Sequence, residues 1–370
     1  MNISVVGVGK LGLCLSLNLE KKGFNVLGVD VVDDYVDSLN KKSFKSLEPY
    51  VTEYLKKSKN IKFTTDLKSS LNNDVIFVVV QTPSTNDGKY NHKYIEEIAE
   101  KLIEFGKQDK RKDLIINCTT FPGYCDSLHE KLNKYNYYVS YNPEFIAQGS
   151  IIQDQLMADS VLIGGCDTYA EELISDIWLK VVDSKPFYHK VSRIEAEIIK
   201  LSVNCFITTK ISFANMVGNM VKKIGGDMDK VLNVIGESYR AGSIGNPYLK
   251  YGFGYGGPCF PRDNRALAVF AEELGVPSDI SVSTDNFNRK HLDFQINEFI
   301  ENNDIKKPIK IDGVTYKKNS NIIEESQQLA YAVGIAKAKF DVTIVDTKDV
   351  LERVKNLHGD LFKYEETNKE

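Results

Sequence analysis

A cysteine sits in the least regular stretch of this chain, "GFGYGGPCFPRD" (252–263), among four glycines and two prolines. A thiol placed in a loop directly before a helix-forming run is accessible, and its thiolate gains from helix-terminal N–H groups. Cys259 is therefore a candidate nucleophile; the alternative is an inert thiol that falls in a turn. Asp263 immediately precedes "NRALAVFAEELG" and is expected to cap that helix, a place from which it could also serve Cys259. Lys200 and Asn204 lie four apart in a helical pattern and so share a face. They are either a solvated lysine with an incidental asparagine, or an ammonium and an amide aimed together at an oxyanion or sugar hydroxyl. Of the remaining cysteines (14, 118, 125, 166, 205), Cys14 and Cys205 fall in helical patterns and Cys118 at a strand end.

A second glycine-rich stretch lies near the other end. "GVGKLG" (7–12) sets Gly7, Gly9 and Gly12 between the first expected strand and the first expected helix. Asp30 ends the second strand. In this setting the first glycine permits a tight turn, the second admits a pyrophosphate to the backbone, and the third lets helix and strand pack. Asp30 would accept hydrogen bonds from an adenosine ribose and repel a 2′-phosphate, which favours NAD over NADP. The alternative is a glycine turn in a non-binding domain. A thiol near a nicotinamide suggests aldehyde oxidation through a thioester.

The elements that must hold these groups follow from periodicity. "ISVVGV" (3–8), "NVLGVD" (25–30), "DVIFVVV" (74–80), "DLIINCT" (113–119) and "YYVSY" (137–141) read as strands, with helical patterns such as 10–23 and 92–105 between them. Unbroken apolar strands alternating with helices imply a parallel, doubly wound α/β sheet covered on both faces. This Rossmann-like domain is expected over residues 1–190. Residues 191–226 form one long helical pattern, with Ser192 and Glu195 at capping-box spacing and Gly225–Gly226 as its stop. Roughly thirty residues of helix at ~1.5 Å each would reach about 45 Å, enough for a spine between domains and part of a dimer interface. It opens a central all-helical domain, 191–300, with further helix at 227–238 and 264–274. A smaller, shortened α/β domain is expected over 301–370, with strands near 309–316 and 341–346, a helix near 324–339, and a disordered tail "KYEETNKE".

The whole chain narrows the classes. It has 370 residues, 42% apolar and 26% charged, with a net charge of −4, so there is no electrostatic reason to expect nucleic acid or an acidic membrane as partner. The longest apolar run, "VIFVVV" (75–80), is far short of a membrane span. No signal peptide is evident, and six scattered cysteines without a CxxC pair fit reduced thiols in a cytoplasmic enzyme. No metal is expected.

These residues resemble the nucleotide-sugar 6-dehydrogenase family, through "GVGKLG", "VQTPSTNDG" (80–88), "CTTFPG" (118–123), "YNPEFIAQGS" (141–150), "AEIIKLSVNCFITTKISFANM" (196–216), "GFGYGGPCFPRD" and, more weakly, "GVTYKKNSNIIEES" (313–326). The resemblance implies oxidation of a primary alcohol to a carboxylate with two NAD⁺ through a thiohemiacetal and a thioester on Cys259. It implies oxyanion stabilisation by Lys200 and Asn204, a companion carboxylate at Asp263, and Thr119 and Glu144 holding the catalytic water and moving protons. Thr82, Pro83 and Thr119 join Gly7, Gly9, Gly12 and Asp30 in the cofactor site. Glu144, Phe145, Lys200, Asn204, Tyr248, Lys250, Gly256 and Lys317 would hold the UDP-sugar. Phe145 after Glu144 resembles the UDP-glucose branch, whereas the branch forming N-acetylmannosaminuronate tends to carry arginine there. A homodimer through the central helical domain is expected.

Several positions depart from the family pattern. Lys10 replaces a common tyrosine, Tyr35 a basic residue, and Gln148 a second glutamate, which leaves proton transfer to Glu144. Ser243 stands where an arginine often reaches the sugar from the neighbouring subunit, with Arg240 shifted by three as its substitute. Glu324 reverses the charge of an arginine expected in the third domain. These departures keep other readings open: a UDP-N-acetylhexosamine 6-dehydrogenase, a two-electron hydroxyacid-type dehydrogenase, or a non-catalytic binder of NAD and nucleotide sugars.

Overall fold

The short apolar runs of the first half build one sheet, because each is buried on both faces and cannot pair with water. In the computed structural model, which describes residues 1–238, 248–318 and 320–367, the strands are β1 (Asn2–Val6), β2 (Asn25–Val29), β3 (Ile61–Thr64), β4 (Val75–Val78), β5 (Lys112–Ile116), β6 (Tyr137–Tyr141), β7 (Ser160–Gly164) and β8 (Phe187–Val191). Their order across the sheet is β3-β2-β1-β4-β5-β6-β7-β8. Alternate residues enter opposite cores: Ile3, Val5 and Phe77 pack on one side, Val6, Ile76 and Val78 on the other. The helices that cover it are α1 (Lys10–Lys21), α2 (Asp33–Asn40), α3 (Val51–Lys57), α4 (Lys93–Glu104), α5 (Tyr124–Leu132), α6 (Ile151–Leu156) and α7 (Thr168–Val181). The strand order reverses between β1 and β4, where loops leave the carboxyl edge in opposite directions and open a crevice.

The sheet is not wholly parallel, as its apolar runs had implied. β7 meets β6 antiparallel, at Tyr141 opposite Gly164. β3, β7 and β8 were not expected either. β8, "FYHKV", has no fully buried position, so it carries no apolar run to announce it.

The chain divides into two compact units, Met1–Lys200 and Leu201–Glu370, and the division falls inside α8 (Arg193–Lys223). The expected capping box forms at its start: Ser192 N donates to Glu195 Oε2 at 2.8 Å and Glu195 N to Ser192 Oγ at 3.4 Å. Val203, Phe206, Phe213, Met216 and Met220 are exposed along α8 at helical spacing, and Ile224 just past its end is exposed too. The second unit continues with α9 (Met228–Glu237), α10 (Phe260–Glu273) and α11 (Asp279–Asn302). α11 has no apolar period in the sequence, because the side chains it buries are Thr284, Asp285, Asn288 and His291. A three-stranded parallel sheet follows, in the order β11-β10-β9, from β9 (Ile309–Asp312), β10 (Val342–Asp346) and β11 (Lys363–Glu366), with α12 (Gln327–Lys337) and α13 (Lys348–His358).

Two further expectations are corrected here. The tail expected to be disordered forms β11 at Lys363–Glu366, next to buried Phe362, with Lys363–Asp341 and Lys310–Glu365 pairing its charges; residues 368–370 lie outside the described residues. α10 starts at Phe260 with Pro261 in its first turn, so its N-cap is Cys259, and Asp263 lies within the helix. Among the described residues no helix is long and apolar enough to cross a membrane.

Candidate active site

In the first unit the candidate residues stand at the carboxyl edge of the parallel strands. Gly7 follows β1 with φ +88°, and a Cβ there would lie 2.3 Å from the Val79 carbonyl oxygen; at Gly12 it would lie 1.9 Å from that of Gly7. Both positions are closed by the protein's own backbone. Gly9, the N-cap of α1, is different: a Cβ would meet nothing within 4 Å, and the residue has no side chain to cap the helix. An uncapped helix N-terminus behind an open glycine fits a pyrophosphate. Asp30, at the end of β2, accepts from Val8 N at 3.1 Å and Val31 N at 2.9 Å. Tyr35 donates to the Val8 carbonyl at 2.7 Å. The peptide at Val8 is thus held from both sides, and Tyr35 acts on the turn itself rather than as a charge for the cofactor.

Loops after β4, β5 and β6 bring the next group. Thr82 is buried and donates to the Thr119 carbonyl at 2.7 Å, tying two strand ends together. Pro83 is exposed and accepts from Asn91 N at 2.7 Å. Lys200, 8% exposed on α8, donates from Nζ to the Glu144 carbonyl at 2.6 Å and lies 4.7 Å over the Phe145 ring. Glu144 as a residue keeps some exposure, yet its carboxyl end is enclosed. Burial raises its pKa to about 7 against hydrogen bonds from Gln155 and Asn117 and the Lys200 charge. Gln155 donates to it at 3.1 Å. A carboxyl poised there can exchange a proton near neutrality. Lys10 and Gln148, two of the departures, contact one another at 3.1 Å. Close by, Trp178, the one tryptophan of the chain, donates from Nε1 to Asn142 Oδ1 at 2.7 Å.

In the second unit Cys259 is exposed, whereas Cys14, Cys118, Cys125 and Cys205 are buried and Cys166 is partly covered. Asp263, one turn on, is 1% exposed and accepts from Asn204 Nδ2 at 2.6 Å and from Arg262 Nε at 3.3 Å. One of the two amide hydrogens of Asn204 is therefore spent on orienting Asp263. Cys205, beside Asn204, has its thiol pKa pushed up by burial and by Asp263, which makes it inert. Tyr248, with φ +76°, is exposed and meets the Phe260 ring edge-on at 6.4 Å; Lys250 is exposed. A Cβ on Gly256 would lie 2.2 Å from the Glu325 carbonyl oxygen, and Gly257 N donates to the Glu324 carbonyl at 3.1 Å. The segment carrying Glu324 thus closes on the cysteine loop through its backbone. Lys317 is half-buried, and its carbonyl accepts from Thr315 Oγ1 at 2.9 Å. Arg240 and Ser243 lie outside the described residues.

The site residues thus gather into separate groups: Gly7–Gly12 with Asp30; Thr82 with Thr119; Glu144 with Phe145 and Lys200; Cys259 with Asp263 and Asn204. Gln155, His92 and Glu197 are not singled out by the sequence, because their partners lie far away in the chain. For Glu197 the signal available was a carboxylate three residues before Lys200 on a face that had to be buried.

Residues 1–182 match the sequence pattern of the UDP-glucose/GDP-mannose dehydrogenase family, NAD binding domain, and residues 194–290 match the same family's central domain. UDP-glucose 6-dehydrogenase YwqF of Bacillus subtilis is 28% identical, across 100% of this chain and 84% of its own length. UDP-glucose 6-dehydrogenase of Rickettsia prowazekii is 30% identical across 95% of this chain and 79% of its own. Among solved structures, a UDP-glucose dehydrogenase from the hyperthermophilic archaeon Pyrobaculum islandicum superposes with a TM-score of 0.89 at 26% identity, covering 99% of this chain and 86% of that one. With its NAD-binding domain and its central domain both matched, the chain belongs to the UDP-glucose/GDP-mannose dehydrogenase family.

Proposed function

We propose that this protein oxidises the C6 alcohol of a UDP-sugar, UDP-glucose foremost, to the carboxylate. NAD supplies the hydride acceptor, twice per sugar. The cofactor would lie on Gly7, Gly9 and Gly12, with Asp30 toward its ribose and Thr82, Pro83 and Thr119 toward the reacting end. The substrate would be held by Phe145, Tyr248, Lys250, Lys317 and the backbone at Gly256. Cys259 adds to the aldehyde carbon as thiolate and later leaves the thioester when water attacks. Lys200 and Asn204 stabilise the oxyanions; Asp263 stands beside the thiol; Glu144 takes protons, and Thr119 holds the water. The observation that carries this reading is Cys259 itself, the exposed thiol, at a helix N-cap with Asp263 fixed in the turn behind it by Asn204.

The exposed apolar row on α8 supports a homodimer through the central helices, since heptad-spaced Phe206, Phe213 and Met220 seek a partner face. A thiol that must stay reduced suits the cytoplasm. The test is NADH counting with UDP-glucose, UDP-galactose and UDP-N-acetylhexosamines. The expected result is two NADH per UDP-glucose and net oxidation abolished by Cys259→Ser; no turnover on any of them would refute the proposal, and one NADH per sugar would favour a two-electron dehydrogenase. Because Glu144 acts as a base and titrates near 7, kcat/KM should climb about tenfold per pH unit below that value and level off above it.

A further inference from the structure

The segment that carries Thr119 from β5 to α5 is held by one carboxylate from a distant part of the chain. Thr120 Oγ1 donates to Glu197 Oε1 at 2.7 Å, Cys125 N to the same oxygen at 3.0 Å, and Gly123 N to Oε2 at 2.6 Å. Glu197 is fully buried. A carboxylate accepts and does not donate, so three donors converging on it are what make a buried charge tolerable there. Its position on α8 is three residues before Lys200, on the adjoining face of the same helix. The Thr119 segment is secured from its other flank as well. His92 Nε2 accepts from Phe121 N at 3.2 Å, and Thr82 holds the Thr119 carbonyl.

A carboxylate that caps a helix for stability alone needs no particular address. This one joins the loop bearing Thr119 to the helix turn bearing Lys200, and Lys200 in turn grips the Glu144 carbonyl. A break at Glu197 would leave those three groups individually intact while freeing the loop to drift against the other two.

Resting on the reaction proposed above, we propose that Glu197 is a positioning residue for thioester hydrolysis: it fixes the Thr119 segment against α8, so that the attacking water meets the Lys200 ammonium and the Glu144 carboxylate in register. In that step the water oxygen bonds to the thioester carbon and gives a proton to Glu144. The C–S bond then breaks, Cys259 leaves as thiolate, and the acid product ionises. The two hydride transfers need no positioned water, and the bond from Thr82 still holds the Thr119 carbonyl on the cofactor side when Glu197 lets go. Displacement by an ångström costs such a step on the order of 100-fold.

The experiment compares the wild type with Glu197→Gln, whose amide N–H₂ would face donors instead of accepting from them, and with Thr120→Val, which removes one bond of the three. Rapid-mixing absorbance with UDP-glucose and NAD separates the NADH burst from the steady state. Intact mass reads sugar bound to the protein, and hydrogen exchange reads the Gly123 and Cys125 amides. In Glu197→Gln the expected result is a burst within about threefold of wild type, a burst-normalised steady rate lower by about 10- to 100-fold, accumulation of the acyl-enzyme, and faster exchange at both amides. Thr120→Val should fall between. A burst and steady state that decline together, or an unchanged burst-normalised rate, would overturn the positioning role, and unchanged exchange would overturn the clamp. No turnover by the wild type would instead sink the reaction reading, with the exchange result still deciding whether Glu197 holds the loop.

Discussion

The two glycine-rich segments look alike as strings, yet they meet different surroundings. In residues 7–12 two glycines are closed by backbone and the middle one, Gly9, faces open space. In residues 252–257 three of the four glycines are closed, two of them by side chains rather than backbone. Gly254 would collide with Asn288, Gly256 with the Glu325 carbonyl and Gly257 with the Tyr316 ring, and only Gly252 is open. The first segment leaves one glycine open at a helix start; the second is chiefly a seam, pressed against α11 and the turn before α12, that presents Cys259 at its end. A glycine run in a sequence therefore announces a close approach without saying whether the approaching body is a ligand or the protein itself.

Alanine substitutions can break that contrast. The largest effect is expected at Gly12, where backbone would have to move away from a Cβ 1.9 Å from an oxygen. Gly12→Ala should lose roughly 2–4 kcal/mol in denaturant unfolding together with NADH binding; a variant of native stability would show that the turn is slack. Gly256→Ala comes next, at about 2 kcal/mol, and should depress kcat while NADH affinity by fluorescence titration stays as it was, because the collision at 2.2 Å displaces the cysteine loop and not the first segment. Gly9→Ala should cost less than about 1 kcal/mol yet weaken NADH binding by about tenfold or more; unaltered affinity would mean that no pyrophosphate comes to this turn. The smallest change is expected for Gly252→Ala, with unfolding shifted by less than about 0.5 kcal/mol and KM for the UDP-sugar raised about threefold. If its KM stays put, the second segment is a seam throughout.

Where local rules govern, the sequence was readable. The Gly7–Gly12 turn, Asp30 after β2, the capped start of α8 and the exposure of Cys259 all depend on neighbours a few residues away. Asp263 was misjudged as a cap because two prolines and a cysteine disguise the true start of α10, and only burial against α8 shows it beneath Asn204. α11 was invisible because its inward face is polar. β11 reads as a charged tail because the partners of Lys363 and Glu365, Asp341 and Lys310, belong to other segments. Glu144 was identified by its place in "NPEF", while its elevated pKa comes from enclosure that no spacing encodes.

The indole of Trp178 has a use beyond packing. It is the only tryptophan, it is 4% exposed, and its N–H is bonded to Asn142, two residues before Glu144. The protein thus carries a single indole, bonded to the end of β6, and its emission, excited apart from the tyrosines, should report changes there without a label or a background from other indoles. Ionisation of the neighbouring carboxyl, arrival of a sugar against Phe145, and slippage of the loop that follows β6 would each be recorded by one signal from a known address.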